Sequence, residues 1–124
     1  MILNQKKIQV MLFNLTHKFQ FSTRLQSKNT NIEIVSEAKV LGTIVTDDLK
    51  WDANCSFLIR MFSDRMQLLQ KVASFGEDQN DLKQVYVTFC RMILEQSCEV
   101  WSGNITKENK IDFGRCQIAA FILI

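Results

Sequence analysis

The chain has 124 residues, enough for one ordinary domain or a piece of a larger protein, and its 47% apolar and 23% charged content excludes wholesale disorder. No apolar run approaches the roughly 20 residues a membrane-spanning helix needs. The formal charge of +2 is unevenly placed: residues 1–30 hold five bases and no acid, 31–62 three bases against five acids, and 63–124 seven bases against eight acids.

The first half carries strand patterning. Ile8, Val10 and Leu12 alternate with Gln9, Met11 and Phe13, which predicts a strand buried on both faces. Phe19, Phe21, Thr23 and Leu25 alternate with polar residues, the period-two pattern of a half-buried strand. Residues 27–31 form a polar turn, and Ile32 and Ile34 alternate with Asn31 and Glu33. The apolar run 40–45 is broken by Gly42, where a bulge or a close backbone approach is expected.

The second half switches to helical spacing. Phe57, Leu58, Met61, Phe62, Met66, Leu69, Val72 and Ala73 recur at three- and four-residue steps and predict one long helix. Asp52 is placed to cap its start and Gly76 to supply a left-handed end. A second stripe runs through Leu82, Val85, Tyr86, Phe89, Met92 and Ile93 and on to Val100 and Trp101, with Asn80 or Asp81 as its cap and Gly103 as its end. Thr106 caps a third helix, with Ile111, Ile118, Ala119 and Ile122 expected to face inward. Gly114 inside that helix costs about 1 kcal/mol against alanine. The fold class expected is α+β: short antiparallel strands followed by a three-helix bundle.

Several features bear on location and completeness. Met1 is not followed by a basic patch and an apolar stretch, so no secretory signal is expected. The four cysteines include no C-x-x-C pair and are expected to be reduced thiols of an intracellular protein, packed as small apolar groups. The abrupt strand-like opening and the closing Phe121-Ile122-Leu123-Ile124 are expected of a truncated piece, although a last helix that docks on the core explains the closing run as well.

Local spacing assembles no complete active site. Asp47-Asp48 resembles part of a two-metal carboxylate set, but residues 1–32 contain no Asp or Glu to converge on it, so a turn or capping role is the expectation. No metal site is expected. Cys90 and Cys98 are too far apart to share one zinc, and His17 is the lone histidine. The basic segment remains. Lys6, Lys7, Lys18, Arg24 and Lys28 with Phe19 and Phe21 interleaved suit phosphate contact and base stacking, although two core phenylalanines with solvated lysines explain the same pattern.

The order of short motifs resembles a known family. Leu3-Asn4-Gln5-Lys6-Lys7-Ile8-Gln9-Val10-Met11-Leu12-Phe13 is similar to the L-N-x-x-K-T-x-x-M-x-F segment of reverse transcriptases of non-LTR (LINE-type) retrotransposons. Lys39-Val40-Leu41-Gly42 resembles the K-Y-L-G that follows it, and Leu49-Lys50-Trp51 the L-x-W that opens the next helix. Leu82 to Tyr86 resembles L-x-x-V-Y, Ile93-Leu94-Glu95 with Val100-Trp101 resembles I-L-E-Y-x-x-x-V-W, and Arg115-Cys116-Gln117 stands for R-V-Q.

The resemblance implies that residues 1–50 are the end of a polymerase palm with a primer-grip hairpin, and 51–124 a thumb-like helical region. It puts Lys7 at the family's motif D lysine, a cation that assists the departing pyrophosphate. It puts Leu41 and Gly42 in the primer grip. Lys6, Lys18, Arg24 and Lys28 would hold nucleic acid. The catalytic aspartates of the family lie upstream of the L-N-x-x-K segment, so this piece would hold no cofactor, whereas the intact parent would use Mg²⁺. Its partners would be an RNA/DNA template–primer and the palm and fingers missing here, with no membrane. A functional retrotransposon protein would be nuclear. Ile8 for Thr, Thr46 for Asp, Asn54 for His, Gln96 for Tyr and Gly114 for Glu depart from the family pattern and imply a decayed or truncated copy. The alternative is a small α+β protein-interaction module without enzymatic activity.

Overall fold

The structure, a computed structural model, describes residues 7–13, 26–27 and 30–124. The chain has a small α+β fold and divides into two units, Met1–Lys50 and Trp51–Ile124.

The described residues of the first unit form six short strands: β1 (Gln9–Val10), β2 (Gln26–Ser27), β3 (Thr30–Asn31), β4 (Glu33–Ile34), β5 (Glu37–Val40) and β6 (Thr43–Thr46). β5 and β6 form an antiparallel hairpin in which Val40 faces Thr43 and Glu37 faces Thr46. The Asp47 amide donates to the Ser36 carbonyl at 2.9 Å and extends the ladder by one more pair. β2 and β3 are also antiparallel, with Gln26 opposite Asn31. The expectation of antiparallel strands fails for β1 and β4, which are parallel, with Gln9 opposite Glu33 and the Val35 amide bonded to the Val10 carbonyl. Parallel strands need a long connection, and the 22 residues between Val10 and Glu33 supply one. The strand expected over 8–13 shrinks to two residues, and Phe13 is exposed. The strand expected at Phe19–Leu25 lies outside the described residues.

In the second unit the helices are α1 (Asp52–Ser74), α2 (Gln79–Val85), a π-helical segment (Tyr86–Arg91), α3 (Met92–Glu95), α4 (Cys98–Trp101), a 3-10 turn (Ser102–Asn104) and α5 (Lys107–Leu123). α2, the π segment and α3 run on without a break. α1 packs against α5 on one side and this composite helix on the other.

α1 buries Cys55, Leu58, Phe62, Met66 and Leu69. Their three- and four-residue steps keep them on one face over the 23-residue length. Phe57 and Met61 are half-buried at the margin of this stripe, and Val72 is exposed. Asp52 is not the cap. Trp51 takes that position without a side-chain bond, and Asp52 stands in the first turn, where a carboxylate favours the helix dipole. Gly76 follows α1 at φ +84°, the left-handed conformation that stops a helix at little cost in glycine.

The second helix starts earlier than expected, with Asp78 as cap accepting from the Asn80 amide at 3.1 Å. Its buried residues are Leu82, Tyr86, Cys90, Ile93 and Leu94. Val85, Phe89 and Met92 are exposed, against expectation. The cause is a four-residue repeat, 82-86-90-94. In an α-helix that repeat drifts about 40° per step and leaves the core face. The π segment, with its i→i+5 bonds, unwinds the helix and brings the four residues back into line. Arg65 of α1 braces the segment: its Nη1 donates to the Phe89 carbonyl at 2.6 Å, and its guanidinium carbon lies 4.4 Å from the Phe89 ring centre.

The helix does not continue unbroken to Gly103. Ser97 at φ +53° turns the chain and starts α4. The turn delivers Trp101 to the core: its indole N–H donates to the Gln96 carbonyl at 2.8 Å, and its ring stacks on Phe113 at 5.2 Å. Thr106 caps α5 as expected, accepting from the Asn109 amide at 3.2 Å. The inward face of α5 is not the expected one. Phe113, Cys116, Ala120 and Leu123 are buried or half-buried, whereas Ile111, Ile118, Ala119 and Ile122 are exposed.

Candidate nucleic-acid interface

The hairpin β5–β6 closes through Leu41 and Gly42, at φ +49° and +83°. Positive φ at both central residues makes this a primed two-residue turn, whose twist matches the flanking strands. The Gly42 expectation is corrected accordingly: the glycine makes a hairpin turn and not a bulge. Glycine adopts this conformation freely, but leucine does so at a cost of roughly 1–2 kcal/mol. Leu41 also projects from the tip with 93% of its surface exposed. A strained backbone that presents an apolar side chain to solvent is a feature of contact surfaces.

The basic residues divide by position. Lys7 is exposed and lies two residues before the start of β1. Lys6, Lys18, Arg24 and Lys28 lie outside the described residues, as does His17. The structure therefore describes Lys7, Leu41 and Gly42 of the expected set, all in the first unit.

The Asp47-Asp48 pair serves the turn that ends β6. Thr46 Oγ1 donates to Asp48 Oδ1 at 2.6 Å and stands 2.8 Å from the Lys50 carbonyl, and the Lys50 amide donates to the same Asp48 oxygen at 3.0 Å. This is an aspartate folding back on its own backbone. The Thr46 hydroxyl and then the Lys50 amide hold the Asp48 carboxyl below its ordinary value, and the Lys50 ammonium at 4.0 Å adds to them. Leu49, at φ +55°, completes the turn. Among the described residues, no three His, Cys, Asp or Glu side chains converge on a possible metal position.

Two of the grooves on the helical unit border α5. One, of about 460 Å³, lies between α1 and α5 and is lined by Phe62, Met66, Gln67, Arg115, Cys116 and Ala119 among others. The other, of about 390 Å³, lies between the π segment and the end of α5, with Lys83 and Arg91 beside Tyr86, Val87 and Phe121. Cys116 is no poised nucleophile: burial, and then the Asp112 carboxylate, push its thiol up and keep it protonated at neutral pH. Cys55 and Cys90 are fully buried, and burial pushes both up, Cys55 to about 11. All four cysteines are free. Among the described residues, no helix is long and apolar enough to cross a membrane. Sequence reading missed the π segment and the Arg65 brace. The four-residue repeat was the available signal for the segment; nothing local marks the Arg65 contact, which spans 24 residues.

No protein-family model, curated protein or solved structure matches the chain.

Proposed function

We propose that the chain is a palm-and-thumb portion of a non-LTR (LINE-type) reverse transcriptase, an RNA-directed DNA polymerase, and that it grips the template–primer without performing the chemistry. The observation that carries this reading is the match between motif order and element order. Lys39 to Ile44 lies on a hairpin with Leu41-Gly42 at its tip. Leu49-Lys50-Trp51 leads into α1, Leu82 to Tyr86 falls where α2 passes into the π segment, and Arg115 to Gln117 lies within α5.

In this reading Lys6, Lys7, Lys18, Arg24 and Lys28 contact phosphates, and the exposed Leu41 rests against the end of the primer. In the family the catalytic carboxylates, the Mg²⁺ they bind and the nucleotide site belong to the rest of the palm and the fingers. Lys7 would stand near the departing pyrophosphate. Nuclear localisation belongs to the same proposal.

The test is fluorescence anisotropy of the full chain with a labelled RNA–DNA hybrid across a salt series. Five phosphate contacts predict a fall of log K with log salt at a slope of about −4, and Lys7→Ala a slope shallower by about 1. Affinity that stays level from low to physiological salt refutes the grip.

The rival reading, a small interaction module without enzymatic activity, is favoured by one observation: the outer face of α5 is apolar and exposed. A module should be soluble by itself with both units folded, whereas in the polymerase reading the short strands of the first unit have edges that aggregate unless covered, and the helical unit melts cooperatively in either case.

A further inference from the structure

α5 carries two apolar stripes, and the second unit uses one of them. Phe113, Cys116, Ala120 and Leu123 recur at three- and four-residue steps on the packed side. On the opposite side are Ile111, Ile118, Phe121 and Ile122, exposed by 49%, 60%, 73% and 82%. Ile111, Gly114, Ile118 and Phe121 follow the three-four-three steps of a coiled-coil seam. Gly114 is the step without a side chain, and a Cβ placed there meets nothing within 4 Å. The seam is therefore a ridge with a notch in it.

Its spacing is self-complementary. Laid antiparallel on a second α5, Ile111 falls opposite Phe121 of the other copy, and Ile118 falls opposite Gly114. Each Ile118 then fills the other copy's notch, and the arrangement is repeated by the twofold axis as an isologous contact requires. Arg115 lies beside that axis, and Asp112 at 3.3 Å within the same helix offsets its charge. We propose that α5 is a self-association surface and that its occupant is α5 of a second copy, packed antiparallel along Ile111, Gly114, Ile118 and Phe121. This goes beyond the nucleic-acid reading and does not depend on it.

One seam on a 17-residue helix makes a small interface, on the order of 1,000 Å² in total, at the low end for a specific contact, so a weak dimer is expected.

The experiment is sedimentation equilibrium of the full chain from about 10 µM to about 1 mM. A reversible monomer–dimer equilibrium is expected. Ile118→Glu should raise Kd at least about tenfold. Leu68→Glu, at an exposed site on α1, should leave Kd unchanged. Gly114→Ala should move two readouts in opposite directions: the thermal midpoint of dilute monomer rises, because alanine favours the helix and meets nothing, while the dimer weakens because the methyl group blocks the notch. A chain that stays monomeric at the highest concentration leaves the seam to some other helix and overturns the proposal. So does a dimer indifferent to Ile118→Glu, a Gly114→Ala variant that dimerises more tightly, or open-ended association.

Discussion

Deleting Thr88 tests whether the π segment exists to align a four-residue core repeat. Thr88 is exposed within that segment. Without it, Leu82, Tyr86, Cys90 and Leu94 are separated by steps of four, three and four, and an ordinary α-helix holds them on one face. The deletion should sacrifice the Arg65 bond to the Phe89 carbonyl, worth about 1.5–3 kcal/mol as a charge-assisted bond. It should recover part of that from a regular i→i+4 ladder. The expected net cost is below about 2 kcal/mol, with a cooperative transition retained. Deleting the exposed Asp64 of α1 is the contrast. It rotates Met66 and Leu69 about 100° out of the core. Displacing two such side chains costs about 2–5 kcal/mol each, enough to unfold a domain of ordinary stability. Urea titrations followed by circular dichroism at 222 nm and by fluorescence of Trp51 and Trp101 separate the two. If the Thr88 deletion is as damaging as the Asp64 deletion, the alignment argument is wrong.

Two further predictions concern the hairpin tip and the buried thiols. Leu41→Asn should stabilise the hairpin by about 1 kcal/mol, because asparagine tolerates the left-handed conformation and Asn-Gly suits a primed turn; amide exchange over 37–46 measures it, and unchanged protection would deny the strain at Leu41. If Leu41 touches the primer, the same variant should bind the RNA–DNA hybrid less tightly although its hairpin is firmer. Stability should also fall at alkaline pH. In the unfolded chain the thiols release protons at their ordinary value, about 8.5, whereas burial holds the folded Cys55 up at about 11 and shifts Cys90 and Cys116 in the same direction. The contribution is fully present below the ordinary thiol value and is lost as pH rises through the folded values, with a limiting slope of about 1.4 kcal/mol per pH unit per thiol. Under reducing conditions Cys55→Ala should flatten that decline, and an unchanged profile would contradict it.

What the sequence made legible follows from how local each signal is. The α1 stripe, the Thr106 cap and the Gly76 stop are read within one or two helical turns, and they hold. The parallel β1–β4 pair could not be read, since two-residue strands have no period and their pairing spans 22 residues. The Ser97 break lacks the glycine that usually marks a left-handed residue. The expected stripe of the composite helix holds at Leu82, Tyr86 and Ile93 and fails at Val85, Phe89 and Met92, because its core repeat of four was fitted to a period of 3.6. At the candidate site, Leu41-Gly42 carries only half of the Asn-Gly hairpin signal. The basic cluster is a property of composition, and Lys7 is its one member among the described residues.

The rotation of α5 shows why hydrophobicity alone could not choose. Either of its stripes offers four apolar residues, and the isoleucine stripe is the bulkier. The inner stripe wins through fit and polar ties. Ala120, with no exposed surface, and half-buried Cys116 are small enough to let α5 approach α1 closely. Phe113 presents a ring that Trp101 stacks on. Asn109, on the same side, donates to Asp52 Oδ1 at 2.7 Å, and at the far end Gln79 Nε2 donates to the Ile124 carbonyl at 2.6 Å. Turning α5 to bury its isoleucines would break both ties and set β-branched side chains where only an alanine and a thiol fit. Asp52 therefore acts as a register pin more than as a helix cap, and the isoleucines are left on the outside.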